Sequence, residues 1–140
     1  MATIASLTEK FINPSTLRAW FRGGLPTGKG IFAVVDVRDS DFMGGHIKGC
    51  YHYPSATFPE DIENLKQILT ANKVDDIVFH CALSQVRGPS SALKFIRSLE
   101  DPAQFNVWIL RGGFTKWQAE YGDDPEVTEG YNAELWRGFD

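Results

Sequence analysis

The segment His80-Cys81-Ala82-Leu83-Ser84-Gln85-Val86-Arg87-Gly88-Pro89 holds the residue types best suited to chemistry in this 140-residue chain. A cysteine with an arginine six positions on, followed by Gly-Pro, describes a loop that can close around an anion. Backbone N–H groups of residues 82–87 can curl into a nest for an oxyanion. A helix beginning near Pro89 adds the partial positive charge of its amino end. Arg87 brings a planar fork whose parallel N–H groups match two oxygens of a phosphate-like group. Such surroundings lower a thiol pKa from about 8.5 into the range of roughly 3.5–7.5, so Cys81 is expected to be a thiolate nucleophile. The plainer alternative is a small buried hydrophobe at a strand end, a common fate for a cysteine taken alone. It leaves the spaced arginine and the Gly-Pro unexplained.

These residues need a strand to deliver the cysteine and a helix to close the loop. Residues 76–80 form a short apolar run, and residues 89–99 carry Ala92, Leu93, Ile96 and Leu99 at helical spacing. Cys81 is thereby expected at the carboxyl end of a strand, where open α/β sheets place ligands. The rest of the chain repeats the alternation. Asn13-Pro14 predicts a capped helix start, with Leu17, Trp20 and Phe21 inward and a stop at Gly23-Gly24. Residues 25–30 read as a loop, and the continuous apolar run 31–37 as a strand covered on both faces. Residues 54–59 read as irregular, and 60–73 as a helix burying Ile62, Leu65, Ile68 and Leu69. A further strand is expected over 106–110, then a Gly112-Gly113 turn into a last helix through Trp117. The acidic, aromatic tail after Tyr121 has no assignable pattern. Alternating strands and helices predict one α/β domain over 1–140 with a mainly parallel sheet.

Composition narrows the function classes. A net charge of −4 with scattered lysines and arginines gives no basic face for nucleic acid. No apolar run approaches the roughly 18 residues of a membrane span. The start of the chain lacks a signal-peptide pattern, so a cytoplasmic or nuclear location is expected. Two cysteines are too few for a disulfide framework, and Cys50, His52, His80 and Cys81 match no zinc-binding spacing. No metal or organic cofactor is expected.

The loop resembles the active site of the rhodanese-fold phosphatases, the group that contains the M-phase inducer phosphatases. Three other segments agree: Asp36-Val37-Arg38, Gly44-Gly45-His46-Ile47-Lys48-Gly49, and Leu110-Arg111-Gly112-Gly113-Phe114 with Trp117. The match runs over nearly the whole chain and is nearest to small single-domain fungal members. It implies a rhodanese-like three-layer domain with helices flanking a mainly parallel sheet. It also implies Cys81 and Arg87 as catalytic residues and Ala82, Leu83, Ser84, Gln85 and Val86 as the phosphate-binding loop. The implied partner is a phosphotyrosine or dual-specificity phosphoprotein, or a small oxyanion, met by a monomer. The loop has seven residues counting Cys81 and Arg87. That is similar to the phosphatases and to the eukaryotic arsenate reductases, whereas sulfurtransferase members typically have six. Arsenate reduction, thiosulfate sulfur transfer and a non-catalytic binding module are the rival readings. Retention of both Cys81 and Arg87 speaks against the last.

Other residues receive supporting roles. Val37 stands where the mitotic phosphatases carry a second, protective cysteine, and Cys50 lies on a different segment. His80 is expected to orient the loop, and His46 and Asp36 to fix loops. Trp20, Trp108, Trp117 and Trp136 are expected in packing, and the Ser84 hydroxyl inside the ring of amides. A leaving oxygen needs a proton. Asp39, Asp41, Asp123 and Asp124 are the candidate donors, unless the substrate phosphate carries the proton itself.

Overall fold

Five parallel strands, in the order 11–12, 106–110, 74–80, 31–36 and 51–52, put the strand before Cys81 in the middle of the sheet. The computed structural model describes residues 10–25 and 31–137. The strands are β1 (Phe11–Ile12), β2 (Ile31–Asp36), β4 (Tyr51–His52), β5 (Val74–His80) and β6 (Asn106–Leu110). Two short strands, β3 (His46–Ile47) and β7 (Thr128–Glu129), pair antiparallel as a separate ribbon. The helices are α1 (Pro14–Trp20), α2 (Phe58–Ala71), α3 (Arg87–Arg97), α4 (Gly113–Tyr121) and α5 (Ala133–Trp136). A single 3₁₀ turn, Ser55–Thr57, leads into α2.

The continuous apolar runs of β2, β5 and β6 divide by strand alternation between two cores. Val35, Ile77, Phe79, Val107 and Ile109 pack on one face with α2 and α3. Val34, Val78 and Leu110 pack on the other with Leu17, Trp20, Phe114, Trp117 and Trp136 of α1, α4 and α5. Helices cover both faces, giving the three-layer α/β arrangement expected from the sequence.

Several boundaries differ from the sequence reading. The helix after the cysteine loop starts at Arg87 rather than near Pro89, so Arg87 opens the helix. Its buried centre is Phe95, fully enclosed, with Leu93 and Ile96 only partly covered. The segment 54–59, read as irregular, holds the 3₁₀ turn and the start of α2. Asn13 caps α1 through its carbonyl, which accepts from the amides of Thr16 and Leu17. Its side chain instead accepts from Arg111 Nε at 3.1 Å. The unassigned tail supplies β7 and α5. Residues 26–30 of the expected loop lie outside the described residues.

Candidate active site

The cysteine loop is shaped by contacts on three sides. β5 ends at His80, and Val37 N–H donates to the His80 carbonyl at 2.9 Å, extending the β2–β5 pairing to the mouth of the loop. From below, the amino end of α4 donates into the loop backbone. Phe114 N–H bonds the Cys81 carbonyl at 3.0 Å and Thr115 N–H bonds the Ala82 carbonyl at 2.9 Å. With their carbonyls drawn toward α4, these trans peptides turn the N–H groups of Ala82 and Leu83 away from that helix. Gly113 makes this approach possible. It sits at φ +57°, and a Cβ there would lie 2.5 Å from both the Cys81 and Ala82 carbonyl oxygens. This is the physical content of the Gly112-Gly113-Phe114 segment.

The sulfur of Cys81 is 3% exposed as a residue and accepts two amide hydrogens, from Ser84 at 3.2 Å and from Gly88 at 3.3 Å. The Gly88 amide belongs to the first turn of α3, so the helix end is aimed at the sulfur. Ser84 adopts a left-handed conformation at φ +57°, which bends the loop. Its hydroxyl is buried and accepts from Cys81 N–H at 3.4 Å, bracing the loop from beneath. A cavity of about 170 Å³ opens above the sulfur, lined by Cys81, Ala82, Leu83, Gln85, Val86 and Arg87.

The Arg87 guanidinium is not idle. Its Nη1 donates to Asp41 Oδ1 at 2.8 Å and to Asp39 Oδ2 at 3.2 Å, and its Nη2 to Asp41 Oδ2 at 2.7 Å. These contacts answer the question of the proton donor for two of the four candidates. The hydrogen bond from Arg87 holds Asp41 down to about 2. Ser55 Oγ donates to Asp39 at 2.6 Å and Ala56 N–H at 2.9 Å, and with Arg87 they lower Asp39 as well. Both are carboxylates at neutral pH and have no proton to give in this arrangement. Asp124 is bound by Arg18 of α1 at 3.1 Å, and neither Asp123 nor Asp124 lines the cavity.

Behind the loop lies a buried polar group the sequence reading underrated. Asp36 and Arg38 are fully enclosed and form a bidentate pair, with Arg38 Nη2 2.7 Å from Asp36 Oδ2 and Nε 3.0 Å from both carboxylate oxygens. Arg38 also donates to the carbonyls of Met43 and Gly45 and lies between the rings of Phe42 and Phe114. It thus ties the turn after β2 to α4. His80 Nδ1 lies 3.1 Å from the Cys81 carbonyl. That oxygen can only accept, so Nδ1 carries the proton. Burial lowers the His80 pKa, which keeps the ring neutral, and Nε2 stops 3.6 Å short of Asp36. His80 therefore orients the Cys81 peptide, as expected. His46 stays in a loop-fixing role, 3.4 Å from Glu129 of β7.

Cys50 is remote in environment. It packs among the side chains of the opposite face of the sheet from the cluster that holds Cys81. Burial pushes its thiol up to about 12. Val37 is enclosed in the same cluster as Cys81 and offers only methyl groups there.

Residues 17–120 match the rhodanese-like domain family. The CDC25-like phosphatase YCH1 of Saccharomyces cerevisiae is 43% identical over 139 residues, covering 91% of this chain and 94% of that protein. Arsenate reductase 2.2 of Oryza sativa subsp. japonica is 42% identical over 91 residues, 61% of this chain and 68% of that one. Among solved structures, a yeast protein tyrosine phosphatase of the rhodanese family superposes with a TM-score of 0.85 over 91% of this chain and 96% of its own. The As–Sb reductase of Leishmania major superposes with a TM-score of 0.68 at 34% identity, over 82% and 80% of the two chains.

Proposed function

Because this chain belongs to the rhodanese-like domain family, we propose that it is a cysteine-dependent phosphatase acting on phosphotyrosine or dual-specificity phosphoprotein sites. The observation that carries the reading is the sulfur itself, held under an open cavity by the amides of Ser84 and Gly88. A seven-residue ring around that sulfur has room for a tetrahedral oxyanion. In this reading the Cys81 thiolate attacks phosphorus in line, forming an S–P bond as the P–O bond to the leaving group breaks. The loop from Ala82 to Val86 cradles the oxyanion, with the Ser84 amide on the sulfur and the amides of Ala82, Leu83, Gln85 and Val86, with Arg87, stabilising the equatorial oxygens. Asp39 and Asp41 are engaged by Arg87. The proton on the leaving oxygen accordingly comes from a monoanionic substrate phosphate. Water then attacks the cysteinyl-phosphate, releasing inorganic phosphate and the thiolate.

Arsenate reduction is the second reading, favoured by the similarity to proteins named arsenate reductases. Cys81 would attack arsenic in the same cavity. Cys50 packs on the other face of the sheet, so the reducing thiol would come from outside, such as glutathione. A parallel assay with p-nitrophenyl phosphate, arsenate plus glutathione, and thiosulfate plus cyanide separates these chemistries. The phosphatase reading expects p-nitrophenyl phosphate to be preferred over thiosulfate by well over about tenfold, with turnover abolished in Cys81→Ser. Thiosulfate as best substrate, with no inhibition by vanadate, would refute it.

A further inference from the structure

Resting on the phosphatase reading, we propose that Asp41 and Asp39 are positioning residues: they grip Arg87 by its outer edge and keep its Nε–Nη2 edge for the substrate oxyanion. A guanidinium has five N–H donors in a fixed plane. Asp41 takes one hydrogen from each of Nη1 and Nη2, and Asp39 takes the second hydrogen of Nη1. What remains is Nε–H and the outer hydrogen of Nη2, two parallel donors along one side of the plane. Among the described residues no acceptor meets Nε. Those two donors have the spacing of two oxygens on one phosphorus or arsenic atom.

The grip is itself built. Asp39 is held by Ser55 Oγ and Ala56 N–H, where the 3₁₀ turn begins, and Asp41 Oδ1 accepts from Asp39 N–H at 2.9 Å. Two carboxylates thus arrive from the segment after β2, 46 and 48 positions before the arginine they hold.

Charge argues that this arrangement serves placement rather than affinity. Two carboxylates against one guanidinium leave a net negative charge beside an anion site. Arg87, Asp39 and Asp41 are partly exposed, at 32%, 30% and 42%. Exposed pairs of this kind contribute little to stability. A group that repels the bound anion yet fixes the clamp should be felt in opposite directions by binding and by turnover. Removing Asp41 takes away repulsion, so an inorganic anion binds as well or better. The freed Arg87 wanders among rotamers, so the transition state loses an aligned partner.

The test uses the full chain. Inorganic phosphate is titrated into ¹⁵N-labelled protein while the Arg87 Nε–H signal, assigned by its loss in Arg87→Lys, is followed. Phosphate binding is also measured by calorimetry in wild type, Asp41→Ala and Asp41→Asn, together with kcat on p-nitrophenyl phosphate. The expected result is an Nε–H signal that moves with phosphate saturation. Asp41→Ala should lower kcat by about tenfold or more while phosphate Kd stays the same or falls. Asp41→Asn keeps one acceptor and should recover part of kcat. An Nε–H signal that stays still as phosphate binds would overturn the assignment of the edge. An Asp41→Ala enzyme with kcat within about twofold of wild type would overturn the positioning role, as would a kcat loss matched by weaker phosphate binding. If the wild type binds phosphate but hydrolyses nothing, the phosphatase reading fails by itself. The Nε–H titration then still decides which edge of Arg87 meets the anion, and weaker phosphate binding by Asp41→Ala would still overturn the positioning role.

Discussion

Replacing Gly113 by alanine should separate the loop from the helix that shapes it. The glycine sits at φ +57°, where an L side chain costs roughly 1–2 kcal/mol. Its new Cβ would meet the Cys81 and Ala82 carbonyl oxygens at 2.5 Å and the Ala82 carbonyl carbon at 2.7 Å. These are backbone atoms, so relief requires moving the loop or α4, an overpacking cost of about 1–3 kcal/mol. The sum is about 2–5 kcal/mol, and at roughly 3–4 °C per kcal/mol for a chain of this size the melting temperature should fall by about 6–20 °C. Gly49→Ala is the control. Gly49 has φ +75° with nothing within 4 Å of a built Cβ, so only the conformational cost applies, about 3–8 °C. Activity should respond more sharply than stability. Moving the loop breaks the bonds from Phe114 and Thr115 to the Cys81 and Ala82 carbonyls. A displacement of about 1 Å at a reacting group can cost on the order of a hundredfold. The assay is kcat/KM on p-nitrophenyl phosphate at 15 °C, beside thermal unfolding followed by circular dichroism. A Gly113→Ala protein that melts with Gly49→Ala and keeps kcat/KM within about threefold of wild type would refute the reasoning.

Arg38→Met should destabilise by about 3–5 kcal/mol, because it strands the fully buried Asp36 carboxylate. Chemical denaturation checks the size, and Asp36→Asn with Arg38→Met together should cost less than the sum of the single changes. Peroxide should inactivate the enzyme without a Cys50–Cys81 disulfide, since Cys50 packs on the other face with its thiol pushed up to about 12; a cross-linked peptide pair in mass spectra would contradict this. Asp41, held by Arg87 at about 2 from an ordinary 3.8, contributes stability that is complete above about pH 4 and is lost as pH falls toward 2. Urea midpoints of wild type and Asp41→Asn should therefore differ at pH 6 and converge near pH 2, the gap being modest because the pair is partly exposed.

The sequence by itself determined the parts of this protein that are local. Residues 106–110 form a strand with the expected bounds, and the runs 31–37 and 76–80 mark β2 and β5 to within two residues. Continuous apolar residues bounded by turns admit few other structures. The seven-residue loop between a strand and a helix is likewise a local pattern; with the three other segments it made the fold family legible, and the structure brings Cys81 and Arg87 to one cavity. Gly112-Gly113-Phe114 was legible as a motif, but its work was not, because a glycine that leaves room for the Cys81 and Ala82 carbonyls of a distant loop shows only when both are in place. Phe95 was missed as the centre of α3: the face that turns inward carries Gly88, Ser91, Ala92, Phe95 and Leu99, and its two small residues and one hydroxyl hide the stripe, while the more apolar Leu93 and Ile96 sit at its edge. The tail gave no signal because β7 and α5 are two and four residues long, too short for periodicity, and are fixed by β3 and by Gly44. Tertiary structure alone decided the fate of the acidic residues. Asp39, Asp41, Asp123 and Asp124 are equal as letters. Packing of the segment after β2 against the start of α3 gives two of them to Arg87, and α1 takes a third through Arg18. The partner a carboxylate finds is set by contact in space, and distance along the chain carries no record of it.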